Sequence, residues 1–205
     1  MSVQIIGGTS GVVADVDSNK NLLVSEGLPA HPAAGGFYTV AGGPVGIVAA
    51  ALVIDTTLMA MRFAAGSVRK AYVTKLRLFI GAATIGVSAG VGGVLGIQRF
   101  TAATPSGGTA RTSNKQDEVL TTATDMTSIQ DLASALTMTD VVFGTEVAWT
   151  RVPLFINGAM WMEWIYEPNY PTVLAPGDGL CLRTRIALAA TQTWVFAYTW
   201  HWYEK

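Results

Sequence analysis

The final third of the chain, residues 171–205, contains two runs in which side chains alternate between two faces. In the first run, Leu180 to Leu188, every second residue is apolar or threonine, and Arg183 and Arg185 lie between them. The second run places five aromatic side chains on one face: Trp194, Phe196, Tyr198, Trp200 and Trp202. Residues at every second position do not fall on one face of a helix, but they share one face of a strand, which a second sheet can bury. The pattern predicts a β-sandwich that closes with a C-terminal hairpin.

Earlier segments also have strand character. The predicted strands are residues 45–54, 58–65, 68–80, 97–101, 141–149, 152–156 and 159–166. Ser128–Leu136 differs, because its apolar residues at 129, 132, 133 and 136 have helical spacing. Short strands separated by turn signals, with one short helix, are typical of an antiparallel jelly-roll-like β-sandwich. The pattern leaves the strand order open.

The first 44 residues predict an extended arm that precedes the sandwich domain of residues 45–205. Residues 11–25 have the pattern of a small hairpin, and residues 26–44 are rich in proline and glycine and predict a linker. A two-stranded ribbon is marginal by itself, so we expect the hairpin to dock on a neighbouring subunit or on the main sheet. Its candidate partner-binding residues are Val12, Val16, Leu22 and Val24.

The composition indicates an assembled protein. Charged residues make up 13% of the chain and hydrophobic residues 50%, whereas a soluble domain has about 25% charged residues. Such a chain is short of polar surface, which favours burial against other subunits. The net charge of −1 provides no basic field for nucleic acid.

Neither a cofactor nor a metal is expected. Cys181 is the single cysteine, which excludes an internal disulfide, and with only His31 and His201 beside it there is no zinc ligand set. Leu78–Ile97 is uncharged and long enough to span a membrane, but its six glycines weaken a helix. Two glycine-interrupted strands are the better interpretation. The N-terminus lacks a secretory pattern, so synthesis in a cytoplasm is expected.

Two catalytic or binding activities fit the sequence less well, and the first is that of an esterase. Gly86–Gly90 reads GVSAG, and Ser88 with Asp178 and His201 follows the order of an esterase triad. The residues after Ser88 form helices poorly, however, and His201 lies within the aromatic strand.

The second activity is sugar recognition through aromatic side chains. Trp161, Trp164 and Tyr166 could form an aromatic platform, with Glu163 and Glu167 as hydrogen-bonding groups. These aromatic residues alternate between both faces of one strand, so packing explains most of them.

Four residues of the last two strands are further candidates for partner binding. Arg183 and Arg185 lie either on a solvated face or at an interface, where they would pair with carboxylates such as Asp15, Asp17 or Glu26 of another chain's arm. His201 and Tyr203 lie on the face of the last strand opposite the aromatic row. That face is neither charged nor strongly apolar, which suits a subunit contact.

Two stretches carry a resemblance to a known class of protein. Arg99–Ala110 reads RFTAATPSGGTA and follows a strand of alternating basic and apolar residues at Val73–Ile80, while Gly11–Val24 forms a leading segment. These stretches resemble segments of tailed-bacteriophage virion proteins. The resemblance implies a non-enzymatic structural component of the particle and leaves open whether it belongs to head, collar or tail.

The combined expectation is a jelly-roll virion protein assembled in the bacterial host cytoplasm. We expect it to form a homotrimer and to attach through residues 1–44 to capsid, collar or tail subunits, without nucleic acid or membrane contact. The alternative is a receptor- or glycan-binding module of a tail fibre.

Overall fold

A computed structural model describes residues 6–7, 12–13, 35–48, 52–82, 86–87, 93–116, 122–131, 136–151, 155–156, 159–165, 171–188 and 193–205. The chain divides into two compact units, Met1–Ala30 and His31–Lys205. In the first unit, β1 (Ile6–Gly7) pairs antiparallel with β2 (Val12–Val13). Val12 pairs with Gly7, whereas Val16, Leu22 and Val24 lie outside the described residues.

The second unit is built from strands. They are β3 (Phe37–Val48), β4 (Thr57–Phe63), β5 (Ala71–Ala82), β6 (Gly86–Val87), β7 (Val94–Thr101), β8 (Thr109–Ala110), β9 (Asn114–Lys115), β10 (Met126–Asp131), β11 (Val142–Arg151), β12 (Phe155–Ile156), β13 (Ala159–Ile165), β14 (Thr172–Leu174), β15 (Gly179–Ile186) and β16 (Thr193–Glu204). The first sheet has the order β11-β7-β15-β4-β10-β8. The second has the order β13-β5-β16-β3-β9, with β14 also paired to β5. All of these pairings are antiparallel, and β12 pairs separately with β6.

The eight longest strands pair in a nested order. The first of them along the chain pairs with the last, the second with the seventh, the third with the sixth and the fourth with the fifth. These pairs are β3 with β16, β4 with β15, β5 with β13, and β7 with β11. Successive pairs belong to alternate sheets.

The inner faces of the two sheets contribute to one buried cluster, which contains the aromatic row of β16. Trp194, Trp200 and Trp202 are almost fully buried. Trp200 donates its indole N–H to the Met59 sulfur on β4, and therefore contacts the other sheet directly. The prediction that one face of this strand is buried is confirmed.

The predicted C-terminal hairpin is wrong. β15 lies in the first sheet between β7 and β4, and β16 lies in the second between β5 and β3. Alternation along a strand records which face is covered, but it contains no information about the neighbouring strand. Each of the two strands pairs with partners that are distant in the sequence.

The predicted helix is also wrong where it is described. Residues 128–131 belong to β10, and the described residues contain no helix. A β-bulge shifts the register between Thr127 and Gln130, and Ser128 has φ of 50°. Met126 and Ile129 are consequently both buried although they are three residues apart. A bulge can therefore give strand residues a helical spacing, as at Met126 and Ile129. Of the positions that predicted the helix, 129 lies in β10, and 132 and 133 lie outside the described residues.

The predicted linker extends too far, because β3 begins at Phe37 and buries Tyr38 and Val40. Gly42 and Gly43 at the end of this range have structural roles in β3. A Cβ at Gly42 would come within 2.5 Å of the Tyr198 ring, and Gly43 has φ of +94°. Glycine here permits close approach and a positive φ, which composition alone does not distinguish from flexibility.

Candidate subunit interface

The predicted partner-binding residues of the last two strands do not form one site. Arg183 and Arg185 belong to β15 in the first sheet, and His201 and Tyr203 belong to β16 in the second. Each pair faces away from the shared core, so the two pairs lie on opposite outer faces. The two outer faces are therefore separate candidates for binding.

The terminal nitrogens of Arg183 have partners within its own chain, while its buried Nε has no hydrogen-bond partner among the described residues. Arg183 is 8% exposed, donates to Gln98 Oε1 at 2.8 Å and to the Asp55 carbonyl at 2.9 Å, and lies 3.7 Å from the centroid of the Phe143 ring. The solvated-face interpretation is wrong for this residue. Its terminal nitrogens already have partners, so they are not free for the carboxylates of another chain. Its binding to another chain stays a prediction.

Arg185 lies closer to the surface and holds two carboxylates. It contacts Asp55 Oδ1 at 2.7 Å and Glu146 Oε1 at 3.3 Å. The three groups join the loop before β4, the edge strand β11 and the central strand β15. Because all three remain partly exposed, the cluster can accept further polar contacts.

Gly96 on β7 makes room for this cluster. A Cβ at Gly96 would overlap Glu146 Oε1 and would lie 2.9 Å from Arg185 Cγ. Any larger side chain would separate the two charged groups. The glycine therefore lets an ion pair cross the outer surface of the sheet.

Four exposed apolar side chains belong to the segments that carry these ion pairs or that pair with them. Val53 is 58% exposed, Ile54 60%, Trp149 66% and Ile186 37%. Trp149 pairs in register with Gly96, and Ile186 pairs with Val94. The amide of Asp55 donates to the Thr184 carbonyl, and this hydrogen bond places the loop of Val53 and Ile54 along β15. We call these four apolar residues, with Asp55, Glu146 and Arg185, the Trp149 patch.

Only Arg185 of this patch was a candidate from the sequence. Trp149 ends the predicted strand 141–149, but the observed strand has register shifts at Phe143/Glu146 and Glu146/Ala148. These bulges change which side chains face outward, so alternation could not place Trp149 on the surface.

On the opposite outer face, Tyr203 is packed against its own chain. Its ring stacks on that of Tyr72 with centroids 4.8 Å apart and contacts Phe37 at 5.7 Å. The Lys205 ammonium lies 4.9 Å from the centroid of Tyr72. Tyr203 is only 4% exposed, so it supports this surface more than it contributes to it.

His201 lies on the same face, next to Lys75 in the register of β16 and β5. Burial lowers the pKa of His201, as do the charges of Lys75 and Arg77, while Glu163 acts in the opposite direction. Glu163 binds both cations, Lys75 at 2.6 Å and Arg77 at 2.5 Å. The lowered pKa favours the neutral imidazole, and its buried Nε2 has no hydrogen-bond partner among the described residues.

The esterase constellation is not assembled in the described part of the chain. Gly86 and Val87 form β6, which pairs with β12, while Ser88 lies outside the described residues. Asp178 accepts a hydrogen bond from the Ala175 amide in the turn before β15. His201 lies on the outer face of the other sheet, so these two members of the triad are separated.

The sugar platform is only partly described. Trp164 packs against the main core, and Glu163 is held by Lys75 and Arg77. The side chain of Trp161 and the residues Tyr166 and Glu167 lie outside what the structure describes.

A shallow groove of about 550 Å³ lies between β11 and β14. Its lining includes Lys70, Arg99, Glu146 and Thr172. Arg99 donates to the Val173 carbonyl and lies 3.5 Å from Asp178, so its charge is partly balanced already. Over the described ranges no cluster of three metal-ligating side chains occurs, and no helix there has the length and apolarity to cross a membrane.

Comparisons of the chain with family models, with curated proteins and with solved structures find no match.

Proposed function

We propose that this chain is a non-enzymatic structural component of a phage virion, built as a jelly-roll β-sandwich that self-associates and attaches to the particle through its N-terminal arm. The observation that carries the proposal is the nested pairing of the eight longest strands. A jelly roll is an eight-stranded antiparallel ribbon folded over into two sheets, and nested pairs are the consequence of that folding.

The strand order supports this architecture in detail. Numbered along the chain, the eight strands follow the order 5-4-7-2 in one sheet and 6-3-8-1 in the other. Jelly rolls are characteristic of viral capsid proteins and of lectins. The architecture therefore agrees with the resemblance of Arg99–Ala110 and Gly11–Val24 to virion proteins, and it also accommodates a binding module.

The composition favours the structural role. With 13% charged residues, the chain has too little polar surface for an isolated domain of ordinary composition. Large apolar side chains that remain exposed, such as Trp149 and Ile54, are consistent with burial against further subunits.

A glycan-binding module of a tail fibre is the second candidate, because lectins share the architecture and the groove between β11 and β14 offers threonine and charged side chains. A glycan array probed with the purified chain separates the two functions. Specific binding that is lost in Arg99→Ala would favour the module over the structural component.

The direct test is the state of association of the full chain, measured by sedimentation velocity from nanomolar to micromolar concentration. An oligomer that persists on dilution is expected, and a monomer over the whole range would overturn the proposal. The homotrimer stays a prediction that the same measurement tests. Deleting residues 2–30, within the first unit, is expected to abolish incorporation into particles while leaving the oligomer intact.

A further inference from the structure

We infer that the Trp149 patch is a contact between two copies of this chain related by a twofold axis. The inference rests on the proposed self-association and specifies its surface, and it requires an assembly that contains a twofold axis, such as a dimer or two trimers joined together, rather than a single homotrimer. Of the six large apolar side chains exposed within the described residues, four belong to this patch. The other two, Val68 and Val142, lie outside it.

The apolar residues have the character of an interface centre. Tryptophan and arginine are the residues that contribute most often to binding hot spots. Trp149 is 66% exposed and pairs with Gly96, over which Arg185 lies, and the Arg185 guanidinium is held by two carboxylates. An arginine already oriented in this way loses less conformational freedom when a partner covers it.

The charges suit a second copy of the same patch. A twofold contact brings a surface against itself, so a patch with charge of one sign would repel its own copy. Here Arg185 lies between Asp55 and Glu146, so cation and anion are present within one surface. Arg185 of one copy can therefore pair with Asp55 or Glu146 of the other copy, and the reverse, without leaving the arginine unpaired.

The position of β11 gives an independent reason. β11 is the last strand on its side of the first sheet, and β7 is its sole partner among the described strands. The free edge of a long strand is a site where another chain can add. Because Trp149 and Glu146 belong to β11, the patch extends to this edge.

The first experiment compares exposed apolar residues inside and outside the patch in the full-length chain. Trp149→Ser and Ile54→Ser are each expected to raise the dissociation constant of self-association at least tenfold, roughly the effect of losing one hot-spot residue. Val68→Ser is the matched control, since it removes a fully exposed apolar side chain outside the patch and outside β11, and it is expected to change this constant less than about threefold. Far-UV circular dichroism checks that all three variants remain folded.

The second experiment uses the single native cysteine. Cys181 is buried and its pKa is raised to about 12, so it provides no background in thiol cross-linking. Trp149→Cys, Ile54→Cys and Ile186→Cys are treated separately with a short bis-maleimide, and Val68→Cys is the control. Covalent dimers are expected for the patch variants and not for the control.

The outcomes separate this inference from the proposed function. If the chain is a monomer at every concentration, both fail. If it self-associates but the patch variants keep the affinity of the parent chain, or the oligomer is a trimer without twofold contacts, the inference fails and the proposed function stands. If the patch variants self-associate normally but no longer enter particles, the patch binds another virion protein, which also overturns the inference.

Discussion

Glu204, near the end of β16, is a carboxylate whose loss should destabilise the fold strongly. It has no exposed surface. Both of its oxygens accept from the Asp125 amide at 3.1 Å, and one also accepts from Trp202 Nε1 at 3.1 Å and from the Thr124 hydroxyl. Arg69 completes the set at 3.2 Å. The carboxylate therefore attaches the segment before β10 to the last strand.

The expected cost follows from burial. Removing one partner of a buried ion pair typically lowers the free energy of unfolding by about 3–5 kcal/mol. Arg69 keeps Asp125 as a partner at 2.6 Å, so we expect Glu204→Ala to cost about 3 kcal/mol, at the lower end of that range. Glu204→Gln keeps the shape and part of the hydrogen bonding, and should cost about 1–3 kcal/mol.

Glu163→Ala is the matched control. Glu163 also contacts two cations, Lys75 and Arg77, but it lies on the outer face of the second sheet, where water screens the interaction. Its removal should cost much less than that of Glu204. Equilibrium urea unfolding, followed by tryptophan fluorescence at one fixed protein concentration, measures all three variants.

Equal losses for Glu204→Ala and Glu163→Ala would refute the reasoning, because burial is the property that distinguishes them. A loss below about 1 kcal/mol for Glu204→Ala would refute it as well, since that is the scale of a surface ion pair.

Three further outcomes are expected. Gly42→Ala should lower the free energy of unfolding by about 1–3 kcal/mol, because the new Cβ meets the buried Tyr198 ring. Gly66→Ala is the control and should cause no such loss, since no atom lies near its Cβ. Comparable losses for the two variants in urea unfolding would contradict the packing argument. The thiol of Cys181 should not react with a chromogenic thiol reagent at neutral pH until denaturant is added, because burial raises its pKa to about 12; rapid reaction of the folded chain would exclude this burial. His201 has a lowered pKa when folded, so the unfolded chain takes up a proton first as the pH falls below about 6.5, and stability should decrease there. Urea unfolding at mildly acidic and neutral pH should show a smaller decrease for His201→Gln, and an unchanged decrease would show that another group is responsible.

Strand positions were predictable because burial of one face leaves an alternating trace in the residues themselves. The runs around Leu180 and Trp200 predicted β15 and β16, and both are strands with a buried inner face. The same kind of signal misled at residues 128–136, where apolar positions 129, 132, 133 and 136 have helical spacing although Met126–Asp131 form β10. Local periodicity cannot distinguish a short helix from an irregular strand.

The candidate site was predictable only in part. Arg185 was identified from its place between apolar residues, but its contacts with Asp55 and Glu146 join positions far apart in the chain. Trp149 was not identified, because bulges in β11 determine which face it occupies. These features depend on register, which a single strand's sequence does not contain.

By itself, the sequence determined that this is an all-β chain with few charges, one buried aromatic row and one cysteine unable to form an internal disulfide. Those properties belong to individual residues and their immediate spacing. Only the tertiary structure decided that β15 and β16 lie in different sheets, that Arg183 is buried while Trp149 is exposed, and that the eight longest strands pair in nested order. Those outcomes depend on hydrogen-bonded pairing between distant segments, and pairing is chosen by the packing of both sheets together.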